Sequence, residues 1–219
     1  MRSFLDFWLP ANCVICQEPP REICQGCAKS FPLRPHKVTR AVPGFAAADY
    51  QGVALDLVHQ FKRSGSGAIT NFLARPMASL VASQANAGDK VLLMPVPSRP
   101  DSFRRRGFVP AKLLAVEVSK TLRREHSILA RVFDVAQLSR GVRDQAILNK
   151  SQRQENLHGA MSIRASSTET QATAIDGLKP HLVLLDDVVT TGATLGELAR
   201  AAVESGLQPK YFVTFAETL

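Results

Sequence analysis

Residues 182–194 read Leu-Val-Leu-Leu-Asp-Asp-Val-Val-Thr-Thr-Gly-Ala-Thr. The apolar run Leu182–Leu185 has the uninterrupted character of a strand buried on both faces. It delivers Asp186 and Asp187 at its carboxyl end, where ligands bind in open α/β sheets. After Val188 and Val189, the segment Thr190-Thr191-Gly192-Ala193-Thr194 turns into a helix. Such a turn can gather backbone N–H groups and the hydroxyls of Thr190, Thr191 and Thr194 on one anion. Gly192 permits close backbone approach, and the helix dipole favours negative charge. Ionised carboxylates directly before a phosphate cup suit the vicinal hydroxyls of a ribose, because each accepts O–H hydrogen bonds. The stretch therefore predicts a ribose 5-phosphate site. No Gly-x-x-x-x-Gly-Lys or Gly-x-Gly-x-x-Gly sequence is present, which excludes the standard P-loop and the dinucleotide fingerprint. A plain capped helix start would explain a lone Thr-Thr-Gly-x-Thr, but not one that follows a buried strand and an aspartate pair.

Working outward, the pattern predicts a strand within His181–Asp187, a helix over Leu195–Glu204 and a closing strand over Tyr211–Phe215. Upstream, Lys90–Pro97 reads as a buried parallel strand that opens onto a basic loop, Ser98–Gly107. A helix carrying Leu113, Leu114, Val116, Val118 and Leu122 follows, closed by Arg123 and Arg124, and a short strand lies around Ala130–Val135. Asp144–Glu155 reads as a polar helix, Ala160–Ile163 as a strand and Ala165–Gly177 as a surface loop. Earlier still, Phe45–Tyr50 reads as a strand. Val53, Leu57, Val58 and Phe61 mark one helix, and Phe72, Leu73, Met77, Leu80 and Val81 a second, which runs to the Gly88-Asp89 turn. Strands alternating with helices indicate an α/β fold with a mainly parallel central sheet. The Pro-rich stretch Phe31–Pro43 reads as an extended connector, so residues 1–43 and 44–219 are expected to form an N-terminal element and the main domain.

All four cysteines fall within fifteen residues, as Cys13-x-x-Cys16 and Cys24-x-x-Cys27. Two such turns can place four thiolates around one tetrahedral point, so the expectation is a compact structural zinc knuckle with no open catalytic position. Two disulfides in any of three connectivities would need an oxidising compartment, and a redox dithiol is the third reading. Before the knuckle, Asp6 and Pro10 break the apolar stretch, so no signal peptide is read; Phe4, Leu5, Phe7, Trp8 and Leu9 suit a short packed helix better than a membrane-surface anchor. No apolar run reaches the roughly 18 to 20 residues that span a bilayer, and a cytoplasmic location is expected.

The chain has 219 residues, 45% hydrophobic and 21% charged, a composition that argues against disorder. Its net charge of +8 is concentrated. Between Arg99 and Arg153 thirteen Lys and Arg face five acids, an excess equal to that of the whole chain. Such a segment favours a polyanion, either a pyrophosphate or a nucleic acid, although solvated helix faces account for part of it. The five histidines show no ligand spacing. One Trp and two Tyr offer few stacking platforms, so any sequence-independent DNA binding would lean on charge.

Residues 182–194 resemble the phosphoribosyl pyrophosphate (PRPP) motif of type I phosphoribosyltransferases. The wider chain is similar to the ComF (ComFC) family, in which a four-cysteine zinc element precedes a phosphoribosyltransferase domain. Val96-Pro97-Ser98-Arg99, Arg104-x-Arg106-Gly107-Phe108, the segment Gln145–Asn156 with Arg153 and Asn156, and His158-Gly159-Ala160-Met161 carry the likeness further. One departure stands out: Val109-Pro110 replaces the family's usual Asn-Gln, removing any polar contact made there. The resemblance implies that Asp186 and Asp187 hold the ribose hydroxyls, directly or through Mg²⁺, and act as the catalytic pair. It assigns the 5-phosphate to Val189, Thr190, Thr191, Gly192, Ala193 and Thr194. It assigns the pyrophosphate to the turn at Pro97 and Ser98, with Arg99, Arg104 and Arg106 as counter-charges. Mg²⁺ keeps most of its waters and would arrive with PRPP. The implied activity is phosphoribosyl transfer to an acceptor that the motif does not name. The same resemblance implies a role in DNA uptake during natural competence, with single-stranded DNA and other uptake proteins, such as a competence helicase, as partners.

Overall fold

The computed structural model describes residues 12–19, 21–86, 88–139, 158–164 and 180–218. The expected N-terminal helix, the polar helix at Asp144–Glu155 and the loop at Ala165–Gly177 lie outside these residues. In chain order the elements are α1 (Gln25–Ser30), β1 (His36–Thr39), β2 (Pro43–Asp49), α2 (Val53–Ser64), α3 (Gly67–Ala82), β3 (Lys90–Pro95), α4 (Pro100–Arg106) and α5 (Pro110–Glu125). They continue as β4 (Leu129–Val132), β5 (Ala136–Leu138), β6 (Met161–Ile163), β7 (His181–Leu185), β8 (Val188–Val189), α6 (Ala193–Glu204) and β9 (Pro209–Glu217). The chain is thus mixed α/β with a largely parallel sheet and a four-cysteine cluster near its N-terminus.

The main sheet has the order β1-β2-β9-β7-β3-β4, with short β8 added to β9. All its pairings are parallel except the β1–β2 edge. β7 sits between β3 and β9, which explains its unbroken apolar sequence: Leu182, Val183, Leu184 and Leu185 are all buried. Phe212 and Phe215 of β9, Leu93 and Met94 of β3, and Leu57 and Phe61 of α2 fill the same core. Gly44 is required for this packing, because a Cβ there would meet the Phe212 ring at 2.4 Å. Helix α3 lies against β9, β2 and α5, whereas α5 covers β3 and β4.

Two sequence expectations change. The stretch 31–43 is more than a connector, since His36–Thr39 pairs with β2 in the register His36↔Ala46 to Thr39↔Pro43. Within the basic segment 98–107, expected as a loop, Pro100–Arg106 forms a helix, α4. Pro100 occupies the first turn, where its fixed φ fits and its missing N–H costs nothing. Gly107 closes the helix at φ +79, donating its N–H to Phe103 O, and three arginines fill the last turn, where the dipole favours them.

The small antiparallel pair β5–β6 is tied to α6 through Glu197. That buried carboxylate accepts from Met161 N at 3.0 Å and from Arg200 Nε at 2.7 Å, while Arg200 Nη2 donates to Met161 O. Burial works to raise the Glu197 pKa, but Arg200 and the Met161 N–H outweigh it and hold it below the usual range. The cysteine knuckle is fastened to the body at two points. Phe31 packs edge-on against Phe72 with centroids 5.3 Å apart and also meets Phe215, and Ser66, the N-cap of α3, donates its hydroxyl to Glu22.

Candidate functional site

The aspartate pair leaves the sheet where β7 ends. Asp187 is buried and Asp186 keeps part of its surface open. The backbone is held by neighbouring strands: Val96 N donates to Leu185 O, Asp186 N to Val213 O, and Phe215 N and Ala216 N to Asp187 O. The carboxylates are oriented locally as well, with Asp187 N donating to Asp186 Oδ1 and Val188 N to Asp187 Oδ1, both at 2.9 Å. Two carboxyls this close cannot both ionise cheaply. Burial first, and then the Asp187 charge, push the Asp186 carboxyl up to about 8.

A cavity of about 220 Å³ opens over the pair, and its far wall is Val96-Pro97-Ser98 with Arg106 and the start of α5 at Pro110 and Ala111. Parallel pairing of β3 with β7 brings the two strand ends to one level, Pro95 opposite Leu185. Pro97, Ser98, Arg106, Asp186 and Asp187 therefore meet around one space. Arg104 does not; it is exposed on α4 and pairs with Asp101 at 3.1 Å. Arg99 is the residue that precedes α4 and lies outside the cavity wall.

Lys62 completes the cavity, and nothing in its local sequence marked it beyond a basic last turn of α2. Its Nζ lies 2.8 Å from Asp187 Oδ2. That oxygen is buried and Lys62 is the cation that faces it. Burial works to lower the Lys62 pKa, but Asp187 and then Asp186 outweigh it and hold it raised. The cation is thus charged and already neutralises one of the two acids.

The cup itself follows the expected chain path. Val189 pairs with Glu217 in β8–β9, Gly192 is the N-cap of α6 at φ +77, and Thr191 Oγ1 accepts from Ala193 N at 3.3 Å. Thr190 is exposed, and Thr191 and Thr194 are half-buried. Arg40, from the β1–β2 turn, crosses over this segment. A Cβ on Gly192 would come within 2.9 Å of Arg40 Cβ and Cγ, so both glycine's conformational freedom and its lack of a side chain are needed there. Arg40 Nε donates to Thr190 O at 3.4 Å, and its guanidinium pairs with the buried Glu217, whose other oxygen lies 2.9 Å from His36 Nε2. Sequence reading missed Arg40 because its contact with residue 190 spans the whole domain.

The four cysteines Cys13, Cys16, Cys24 and Cys27 come together as expected. They are free thiols, and their sulfurs all lie within 4.8 Å of one another. Cys16 and Cys24 Sγ are 3.8 Å apart. Sulfurs about 2.3 Å from a shared zinc would be separated by about 3.8 Å, whereas a disulfide needs about 2.05 Å. Backbone N–H groups of Cys24 and Cys27 point at Cys13 Sγ (3.5 Å) and Cys24 Sγ (3.4 Å). Neighbouring Cys24 first, then burial, push the Cys27 thiol up to about 12, while Cys13 is lowered to about 6 because backbone hydrogen bonds overcome its burial. The donor set fits a metal such as zinc.

The chain is similar to proteins named DNA utilization protein YhgH. It is 27% identical over 164 residues to those of Shigella flexneri and Escherichia coli K12, and 28% identical over 166 residues to that of Escherichia coli O6:H1. Each alignment covers 73% of this chain and 65% of the relative, so the match spans a little under two thirds of those proteins' own length. No protein-family model matches. No helix of the described residues is long and apolar enough to cross a membrane.

Proposed function

We propose that the chain binds PRPP, or a related ribose 5-phosphate compound, with Mg²⁺ and transfers its phosphoribosyl group to an acceptor. The observation that carries the reading is the single cavity shared by Asp186, Asp187, Pro97, Ser98, Arg106 and Lys62. In this reading the Thr190–Thr194 turn receives the 5-phosphate on backbone N–H groups and threonine hydroxyls. Asp186 and Asp187 accept the ribose hydroxyls. Ser98 and Arg106 receive the pyrophosphate, with Arg99 and Arg104 contributing longer-range positive charge. Bound Mg²⁺ would add charge neutralisation on the pyrophosphate as the C1–oxygen bond lengthens. The protein's part is to hold the sugar and to stabilise a leaving anion. Residues 1–43 act as a metal-held element and 44–219 as the catalytic body, with β1 stapling one to the other.

Calorimetric titration of PRPP with Mg²⁺ tests the reading. Saturable, Mg²⁺-dependent binding is expected, and its absence refutes the proposal. A second reading, single-stranded DNA handling that retains the pocket without catalysis, is favoured by the name of the YhgH relatives and by the concentrated basic charge. It expects oligonucleotide binding whose affinity falls steeply with salt; salt-insensitive or absent binding removes it.

A further inference from the structure

A groove of about 940 Å³ adjoins the aspartate cavity, and two side chains, Lys62 and Arg106, line both spaces. Its walls come from the cysteine knuckle, from α2 and from α4. Four cations, Lys62, Arg63, Arg105 and Arg106, face one acid, Asp56. Lys62 is engaged by Asp187, and Arg106 also reaches the cavity. That leaves Arg63, whose guanidinium donates to Gln60, and Arg105. Neither Arg105 nor Arg106 belongs to an ion pair among the described residues, although Arg104 on the same helix does. Arginines clustered on a concave surface favour an anion. The amides of Asn12, Gln17 and Gln60 add donors and acceptors on the same walls, a set suited to the edge of a heterocyclic base. The volume falls within the range of about 300 to 1,000 Å³ typical of small-ligand sites.

We propose that this groove is the acceptor site, and that the acceptor is phosphate-bearing and base-containing: a free nucleotide or the 5′-phosphorylated end of a single strand. The inference rests on the transfer reading above. The C1–oxygen bond of the donor breaks with its electron pair leaving on pyrophosphate. A base nitrogen of the acceptor supplies the pair for the new C1–N bond, and the base releases one proton to solvent, from that nitrogen or from an amine conjugated with it. Arg63 and Arg105 hold the acceptor's phosphate, away from the donor's pyrophosphate at Ser98 and Arg106.

The test titrates the full chain, metal-loaded and with excess ribose 5-phosphate and Mg²⁺ present, with adenosine 5′-monophosphate and separately with a 5′-phosphorylated oligothymidylate. Saturable binding is expected, weakened about tenfold by Arg63→Ala or Arg105→Ala. It should be untouched by Arg124→Ala, which alters an equally basic helix end outside the groove. The tighter ligand identifies the source of the phosphate. Binding indifferent to Arg63→Ala and Arg105→Ala, weakened equally by Arg124→Ala, or matched by unphosphorylated adenosine overturns the inference. If PRPP binds but neither nucleotide does, the acceptor site falls and the donor site stands. If nucleotides bind through Arg105 but PRPP does not bind, the groove stands as an anion site and its acceptor role falls with the transfer reading.

Discussion

The molecule gathers mutually repelling acids in two places and treats them differently. At the end of β7, Asp186 and Asp187 are brought together with a cation of the protein's own, Lys62 at 2.8 Å, and with an open cavity above them. At the knuckle, four thiols stand within 4.8 Å, and the groups that shift them are one another, their burial and nearby backbone N–H groups. The carboxylate site can thus persist without a ligand and remain open to one. The thiol site has no cation of the protein's own among the described residues, and its four-sulfur donor set fits a metal from outside.

The largest effect is expected at the thiols. Structural zinc in small four-ligand elements is bound with an apparent free energy on the order of 10 kcal/mol, which is also folding free energy for the segment. Cys24→Ser should therefore abolish stoichiometric metal, read by elemental analysis, and loosen residues 12–30 to hydrogen exchange while the main sheet stays protected. Retention of one zinc per chain in this variant would contradict a closed site. Next comes Asp187→Asn, which removes the carboxylate that lies 2.8 Å from Lys62 Nζ and leaves Asp186 as the remaining acid of the pair. It should eliminate Mg²⁺-dependent PRPP binding by calorimetry, and a variant that still binds normally would show the pair to be structural only.

Asp186 yields the opposite sign. Its folded pKa of about 8 exceeds the unfolded value of roughly 3.9, so the folded state holds the extra proton in between and metal-free stability declines as pH rises through that window. Asp186→Asn should flatten this slope and raise stability at pH 8 by about 1–2 kcal/mol, measured by urea unfolding at pH 5 and pH 8 in Mg²⁺-free buffer. An unchanged slope would mean that Asp186 is already ionised. The smallest effect concerns Arg40. Arg40→Ala removes its bond to Thr190 O as well as its ion pair with Glu217, which keeps His36 as a partner. On ligand affinity the lost bond to Thr190, worth about 1 kcal/mol, should appear as a several-fold weaker affinity for ribose 5-phosphate, with the zinc content unaltered.

How much of this was legible before folding depended on the range of the interaction. The β7 strand, the aspartates at its end and the Thr190–Thr194 turn are contiguous, and α6 begins at Ala193 just inside that turn. The knuckle was legible for the same reason, since its four ligands fall within fifteen residues. Helix α4 was locally encoded too, by Pro100 and Gly107 at its two ends, but three arginines and the expectation of a binding loop masked the signal.

Local chemistry alone therefore decided the strand and the turn that follows it: a buried strand must be apolar, and a tight turn that enters a helix must expose N–H groups. Tertiary structure decided which distant charges meet them. Lys62 reaches Asp187 because α2 packs its Leu57 and Phe61 into the core and turns the next residue toward β7. Arg40 reaches Thr190 because β1 pairs antiparallel at the sheet edge, and Arg106 faces the cavity while Arg104 does not because of its angle around α4. Long flexible cations carry no pattern of their own, so their targets follow only from the packing of the elements that bear them.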